Sequence, residues 1–366
     1  MSSNGELSRP GFNRLGNMSL GQVLLEGRAF IALALIIVIF SSMSENYLTV
    51  SNLIIMTKHV AINALLALGV LMTILKGGID LSVGSTVALS GIVAGYTLQG
   101  IVIPGTDTVA YPPVWVVFIL AVASGALVGW VNGVLVTRFN VAPFIATLGM
   151  LYVARGAALL IADGKTFPRL QGSEEFGNTG FSALGQDSLF GIPPGVWFMV
   201  AGALVCSLLL NRTAFGRHLY AIGGNERAAE LAGVPVNSVK LRAYVISGIT
   251  AAIAGVVIAS ELTAATPQTG ETFELNAIAA VVIGGAALAG GRGHVRGTIL
   301  GAFVIGFLED GLVIMGVSEF WKLVIKGAVI IAAVAIDAAQ QQTRRSARAK
   351  RTGETKPDES SESAGA

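Results

Sequence analysis

Charge is what this 366-residue chain has least of. Only 13% of its residues are Asp, Glu, Lys or Arg, about half the ~25% usual in soluble domains. With 53% hydrophobic residues and a mean hydropathy of +0.71, too little polar surface remains to cover a soluble core of this length. Cysteine is nearly absent. Cys206 is the single one, set in the apolar run Phe198–Leu210, so the chain can form neither an internal disulfide nor a thiolate metal cluster. His59, His218 and His294 are scattered without ligand spacing. No nucleophile–base pair or metal cluster marks an enzyme. No GxxxxGK[ST] phosphate loop is present, so no ATP hydrolysis, cofactor or metal is expected of the chain itself, and no nucleic-acid partner. The polar, Arg-containing first residues carry no cleavage pattern of a signal peptide.

What is abundant is glycine, 46 residues, and long apolar runs. Small residues let transmembrane helices approach closely. Stretches near the ~20 residues that cross a bilayer fall at 28–44, 58–76, 85–103, 114–136, 142–162, 195–211, 242–261, 275–291, 297–316 and 320–338. The stretch at 275–291 is short and rich in Gly and Ala. The expected fold is therefore all-α, a polytopic bundle of about ten spans embedded in membrane lipid.

Basic residues set the orientation, since Lys and Arg collect on the cytoplasmic side. With the N-terminus inside, eighteen of the 24 basic residues fall on inside segments or their flanking span ends. Five fall outside: Lys58, Lys165, Arg169, Lys322 and Lys326. Arg155 falls within a span. Both termini are then cytoplasmic. Lys322 and Lys326 run against the rule, although a lysine can snorkel from a helix end. The chain divides into an N-terminal cytoplasmic segment 1–27, a membrane domain 28–340 with a cytoplasmic loop at about 212–241, and a tail 341–366. The tail is charged and Ser-rich without apolar periodicity, which predicts disorder. Residues 163–194 form a polar outside loop.

Three segments carry functional signals. The first is KGGIDLSVGS, 76–85, between the second and third candidate spans. Paired glycines permit backbone angles that break a helix. Asp80 there either caps the following helix or marks a polar pathway, because intramembrane carboxylates are costly unless used. Ser82 belongs to the same segment. The second is Asn211–Tyr244, too polar to span. Glu226–Ala232 is rich in helix formers, and Gly233 followed by Pro235 is well placed to end it. It reads as a docking helix for a soluble partner or as a plain connector. The third is Glu274–Gly301, with glycine pairs at 284–285 and 290–291 and Asn276 near the start of a span. Residues 77–95 and 284–306 each place a glycine pair, a Gly-containing turn and an apolar run, the pattern of an internal repeat of two halves with interrupted helices. Asn63, Asn132 and Asn276 are either interhelical hydrogen bonders or pathway lining.

GGIDLSVGS (77–85), APFIATLGM (142–150), GRHLYAIGGNERAAELAGV (216–234) and ELNAIAAVVIGG (274–285) together resemble the signatures of permease subunits of ribose-type ATP-binding-cassette importers, in that family's order, over residues 30–338. The resemblance implies a transport subunit for a monosaccharide, either a ribose-like pentose, a hexose or a polyol. It implies as partners a cytoplasmic ATPase, a periplasmic sugar-binding protein and a second permease subunit, most simply another copy of this chain. The family's EAA-x-x-x-G coupling motif is similar to Arg227-Ala228-Ala229 followed by Gly233, with Arg227 in the acidic position and Glu226 just before it. That implies ATPase coupling by Glu226, Arg227, Ala228, Ala229 and Gly233. It also favours a pathway role for the Asp80 segment, with Asp80, Ser82, Asn63, Asn132 and Asn276 as candidates. The rival reading is a secondary transporter driven by an ion gradient, for which Glu309 and Asp310, inside the ninth span, would be the ion-site carboxylates. A channel working without ATP is a further rival. A stable complex with an ATPase separates both from the importer reading.

Overall fold

The computed structural model describes residues 27–103 and 105–335. The tail expected at 341–366 and nearly all of the N-terminal segment lie outside them. Helices occupy all ten apolar stretches. They are α1 (Arg28–Met43), α2 (Val50–Leu75), α3 (Val83–Leu98), α4 (Val114–Thr137), α5 (Pro143–Ile161), α6 (Pro194–Arg212), α9 (Val236–Leu262), α10 (Phe273–Ile283), α11 (Val295–Ile314) and α12 (319–335). Two short helices, α7 (Ala214–Gly224) and α8 (Glu226–Leu231), lie between α6 and α9. Proline opens α5 and α6 at the first helical position, where its missing N–H costs nothing.

Six of these helices are long and apolar enough to cross a membrane: α2, α4, α5, α6, α9 and α11. Three apolar helices are shorter, namely Ala29–Met43, Val83–Leu98 and Phe273–Ile283. The stretch expected at 275–291 is helical only to Ile283, because the glycines at 284 and 285 turn the chain. At ~1.5 Å per residue, α10 is about 16 Å long, roughly half the hydrocarbon thickness.

The centre of the bundle is α2, apolar on every side and continuously buried from Val60 to Leu75, as a helix enclosed by others should be. Around it stand α6, α9, α10 and α11. The second buried helix, α9, crosses α4 on a row of glycines. A Cβ added at Gly129 would lie 2.9 Å from the Val245 Cα, and one at Gly133 would lie 3.0 Å from the Leu241 Cα. Close backbone approach replaces side-chain interdigitation here, the small-residue packing typical of membrane helices.

The segment 163–194 is not a loose loop. It pairs β3 (Phe167–Pro168) antiparallel with β4 (Ala264–Ala265), buries Phe181 and Leu170 completely, and ties to helix ends by Asn178 Nδ2 to Leu98 O at 2.9 Å and Ser260 Oγ to Phe181 O at 2.6 Å. A small hairpin, β1 (Ile101–Val102) with β2 (Val109–Ala110), sits beside it, with Tyr111 stacked on Phe176.

Candidate functional site

The glycine-rich segment after α2 interrupts the helical path, as its sequence predicts. Gly77 takes φ +81°, a left-handed conformation that glycine adopts without penalty. The chain then runs extended through Ile79 and Asp80 before α3 begins. Asp80 is 1% exposed. Its Oδ1 accepts from the Ser82 amide at 3.0 Å and the Ser82 hydroxyl at 2.7 Å. This is an Asx-type bond two residues on, the local geometry Asp favours at turns. Ser82 Oγ in turn accepts from Asn132 Nδ2 on α4 at 2.9 Å, and Thr147 on α5 donates to the Ile79 carbonyl at 3.2 Å. The structure thus unites Asp80 and Ser82 with Asn132, 50 residues beyond Ser82, into one buried cluster that fixes the start of α3.

The cluster is polar beyond these bonds. Lys76, 5% exposed, forms no ion pair among the described residues; its Nζ sits 3.8 Å from the centroid of the Tyr244 ring on α9, a cation–π contact. The Asn132 Oδ1 and the Tyr244 hydroxyl are buried without hydrogen-bond partners. The Ser247 hydroxyl lies near Asp80 but outside hydrogen-bond geometry. Asn63 on α2 and Asn276 on α10 are elsewhere in the bundle, 5% and 4% exposed, and neither makes a side-chain hydrogen bond among the described residues.

The segment at 211–244 builds the second part of the site. Asn225 caps α8, its Oδ1 accepting from the Ala228 amide at 3.0 Å. Gly233 ends it at φ +80°, with its amide bonded to Glu230 O at 2.9 Å and the next amide, of Val234, to Ala229 O at 3.0 Å, the paired closure of a glycine-terminated helix. Glu226, Arg227, Ala228 and Gly233 are exposed while Ala229 faces inward. Arg227 pairs with Glu230 at 2.7 Å and Glu226 with Lys240 at 2.6 Å, so the charges flanking α8 are locally paired. Leu231 is 76% exposed, a residue the motif comparison did not single out; an exposed leucine on a polar surface helix was its only signal.

Helix α7, which the sequence reading left within the polar stretch Asn211–Tyr244 although Leu219 and Ile222 recur on one face, links α8 to the bundle. Tyr220 donates to the Gly293 carbonyl at 2.7 Å. Gly223 lies so close to the Leu75 carbonyl and Gly291 that a Cβ there would overlap both. The Gly291 amide donates to Leu75 O at 2.9 Å. The loop 284–294 is therefore clamped between α7 and the end of α2, one residue before Lys76.

The carboxylates of the ninth span are paired. Glu309 meets Lys326 at 3.0 Å and Asp310 meets His59 Nδ1 at 2.7 Å. Lys58 pairs with Glu261, Lys165 with Asp163 and Lys322 with Glu319. The four lysines expected on the outside thus each have an acidic partner. Among the described residues no group of three or more His, Cys, Asp or Glu could hold a metal ion.

A helical membrane protein with helices interrupted inside its bundle and an exposed helical element tied to one of the interruptions has the architecture of a transport subunit. Sequence comparison places the chain in a defined family: residues 52–334 match the model of the branched-chain amino acid transport system / permease component, and the chain belongs to that permease family. It is similar to the ribose import permease protein RbsC of Haemophilus influenzae, 37% identical over 89% of this chain and 97% of that protein. It is 42% identical to the ribose import permease protein RbsC of Bacillus subtilis over 84% of this chain and 91% of the relative. It is 33% identical to the L-arabinose transport system permease protein AraH of Escherichia coli over 90% and 95%. No solved structure matches the chain.

Proposed function

We propose that this chain is the membrane permease subunit of an ATP-driven importer for a ribose-like monosaccharide. The relatives named for ribose and arabinose support the sugar class. The observation that carries the coupling is the clamp formed by Tyr220, Gly223, Gly291 and Leu75. A cytoplasmic ATPase docks on α8, and its motion reaches the segment 76–82 through that clamp. Both termini and α8 lie on the cytoplasmic side, and a sugar-binding protein delivers substrate to the opposite end.

In this reading about ten helices reach into or across the inner membrane, and two copies of the chain form the pathway. Asp80, Ser82 and Asn132 hold the start of α3, while Asn63 and Asn276 offer hydrogen bonds to the passing sugar. The segments after α2 and α10 act as corresponding interruptions of two structural halves. ATP and loaded binding protein must favour different states of the subunit, since only differential affinity can shift such an equilibrium.

An ion-driven secondary transporter is the alternative. The basic partners of Glu309 and Asp310, Lys326 and His59, speak against it, because a bound cation would have to displace them. Uptake of radiolabelled D-ribose, L-arabinose and D-allose into proteoliposomes tests the reading, with the partner ATPase present, binding protein outside and ATP inside. ATP-dependent uptake of one sugar supports it; uptake driven by a sodium or proton gradient without ATP overturns it.

A further inference from the structure

Arg155 and Glu274 flank one turn at the junction of three elements, and neither forms an ion pair among the described residues. Arg155 lies on α5, about 18 Å along from its first residue and about 9 Å from its last. Its Nη1 donates to the backbone carbonyls of Pro267 and of Thr269, the latter at 2.7 Å. Those carbonyls belong to the segment 266–272, which turns back into the bundle after β4 and leads into α10. Glu274 stands in the first turn of α10. Its carboxylate lies against Gly84 at the head of α3, where a Cβ would overlap both that carboxylate and the Gly270 carbonyl. The two short helices thus meet head to head within the bundle, and Arg155 and Glu274 flank the same turn, the one bonded to the Pro267 and Thr269 carbonyls and the other beside the Gly270 carbonyl.

Two observations say what this junction faces. Arg155 and Glu274 are only partly buried, and Gln268 and Glu271 beside them are exposed. Ionisable groups among the helices of a membrane bundle face a water-filled cavity or a partner and not lipid. Moreover, Glu261, Glu309 and Asp310 in the neighbouring helices all have basic partners, whereas Glu271 and Glu274 have none within ion-pair distance. Arg155 keeps the N–H groups of Nη2 and Nε free of protein acceptors among the described residues. A carboxylate that only accepts, opposite a guanidinium that only donates, matches neighbouring hydroxyls of a neutral sugar, each of which can donate to one and accept from the other.

We infer that the cleft between Arg155 and Glu274 is a monosaccharide subsite on the wall of the translocation pathway. For its sugar, the inference rests on the importer reading; for its water-lined face, it rests on the geometry alone. Such a subsite binds weakly, with two charged groups partly open to water, as a pathway that must release its cargo requires.

The test uses the intact complex with its ATPase in proteoliposomes. In a Cys206→Ser background, Gln268→Cys, exposed beside both groups and leaving them intact, is treated with a charged, water-soluble methanethiosulfonate reagent, with Leu35→Cys on the exposed face of α1 as the lipid-facing control. Glu271→Cys serves as a second reporter should Gln268→Cys fail to assemble. The expected result is modification about tenfold faster than the control, slowed by D-ribose, L-arabinose or D-allose. Modification no faster than at position 35 overturns the inference. Fast modification that none of the three sugars slows overturns the subsite. Sugar-protected labelling in vesicles whose uptake follows an ion gradient instead of ATP would overturn the importer reading and leave the subsite standing.

Discussion

The Gly291 amide donates to the Leu75 carbonyl at 2.9 Å, joining the loop that follows α10 to the last residue of α2. Gly223 packs against this bond from the side of α7. Three segments separated by more than 60 residues each therefore converge where the helical path of α2 breaks. The contact is backbone to backbone, so it can transmit displacement without the slack of long side chains.

Gly223→Ala places a methyl group where the Leu75 carbonyl and Gly291 already stand. Overpacking of this kind costs about 1–3 kcal/mol. The expected outcome is a chain that inserts at normal levels but transports poorly, measured as ATP-dependent uptake per inserted subunit. Uptake at the unmodified rate would remove the clamp from the coupling route.

Leu231→Asp and Gly233→Asp both alter the exposed side of α8, one by charging its apolar tip and the other by straining a φ of +80°. Neither touches the bundle. Each should leave the permease folded while co-purification of the ATPase and uptake are lost together. Retention of the ATPase by both variants would show that α8 is not the docking element.

Asp80→Ala frees the Ser82 amide and hydroxyl in a buried site. Leaving such groups unsatisfied costs about 1–3 kcal/mol. Thermal unfolding in detergent should shift downward, and Asp80→Asn, which keeps an acceptor oxygen, should shift less. If Asp80 instead acts only by contacting cargo, the alanine variant will unfold at the unmodified temperature while uptake is lost.

Glu309→Gln and Asp310→Asn separate the two transport readings. Each removes one charge of a partnered pair, Glu309 with Lys326 and Asp310 with His59. ATP-driven uptake is expected to persist in both, with lowered stability from the unpaired base. Complete loss of uptake in folded protein, coupled to loss of ion flux, would point to an ion site at these carboxylates.

Tyr220→Phe deletes the hydroxyl bonded to Gly293 O at 2.7 Å and retains the ring. A net loss of about 1 kcal/mol is expected, seen as a modest fall in melting temperature. The more telling readout is the ratio of sugar moved to ATP hydrolysed, which should decrease if α7 carries the motion. An unchanged ratio would assign Tyr220 to stability alone.

The sequence by itself determined where most of the helices lie, because a long apolar run in a bilayer must satisfy its backbone polar groups within itself, as a helix does. It also determined where α8 ends, since Gly233 before Pro235 is a local instruction read within one turn. It could not determine that α7 closes on the loop 284–294 or that 163–194 is an ordered cap, because those depend on what packs against them; the glycine pair that ends α10 was a local signal hidden in an apolar run. The meeting of Ser82 with Asn132, of Gly84 with Glu274, and of Lys326 with Glu309 joins residues 17 to 190 positions apart. Only the tertiary structure decided these, because the cost of burying a polar group is set by the partner that the fold brings to it, and no local pattern of residues encodes that partner.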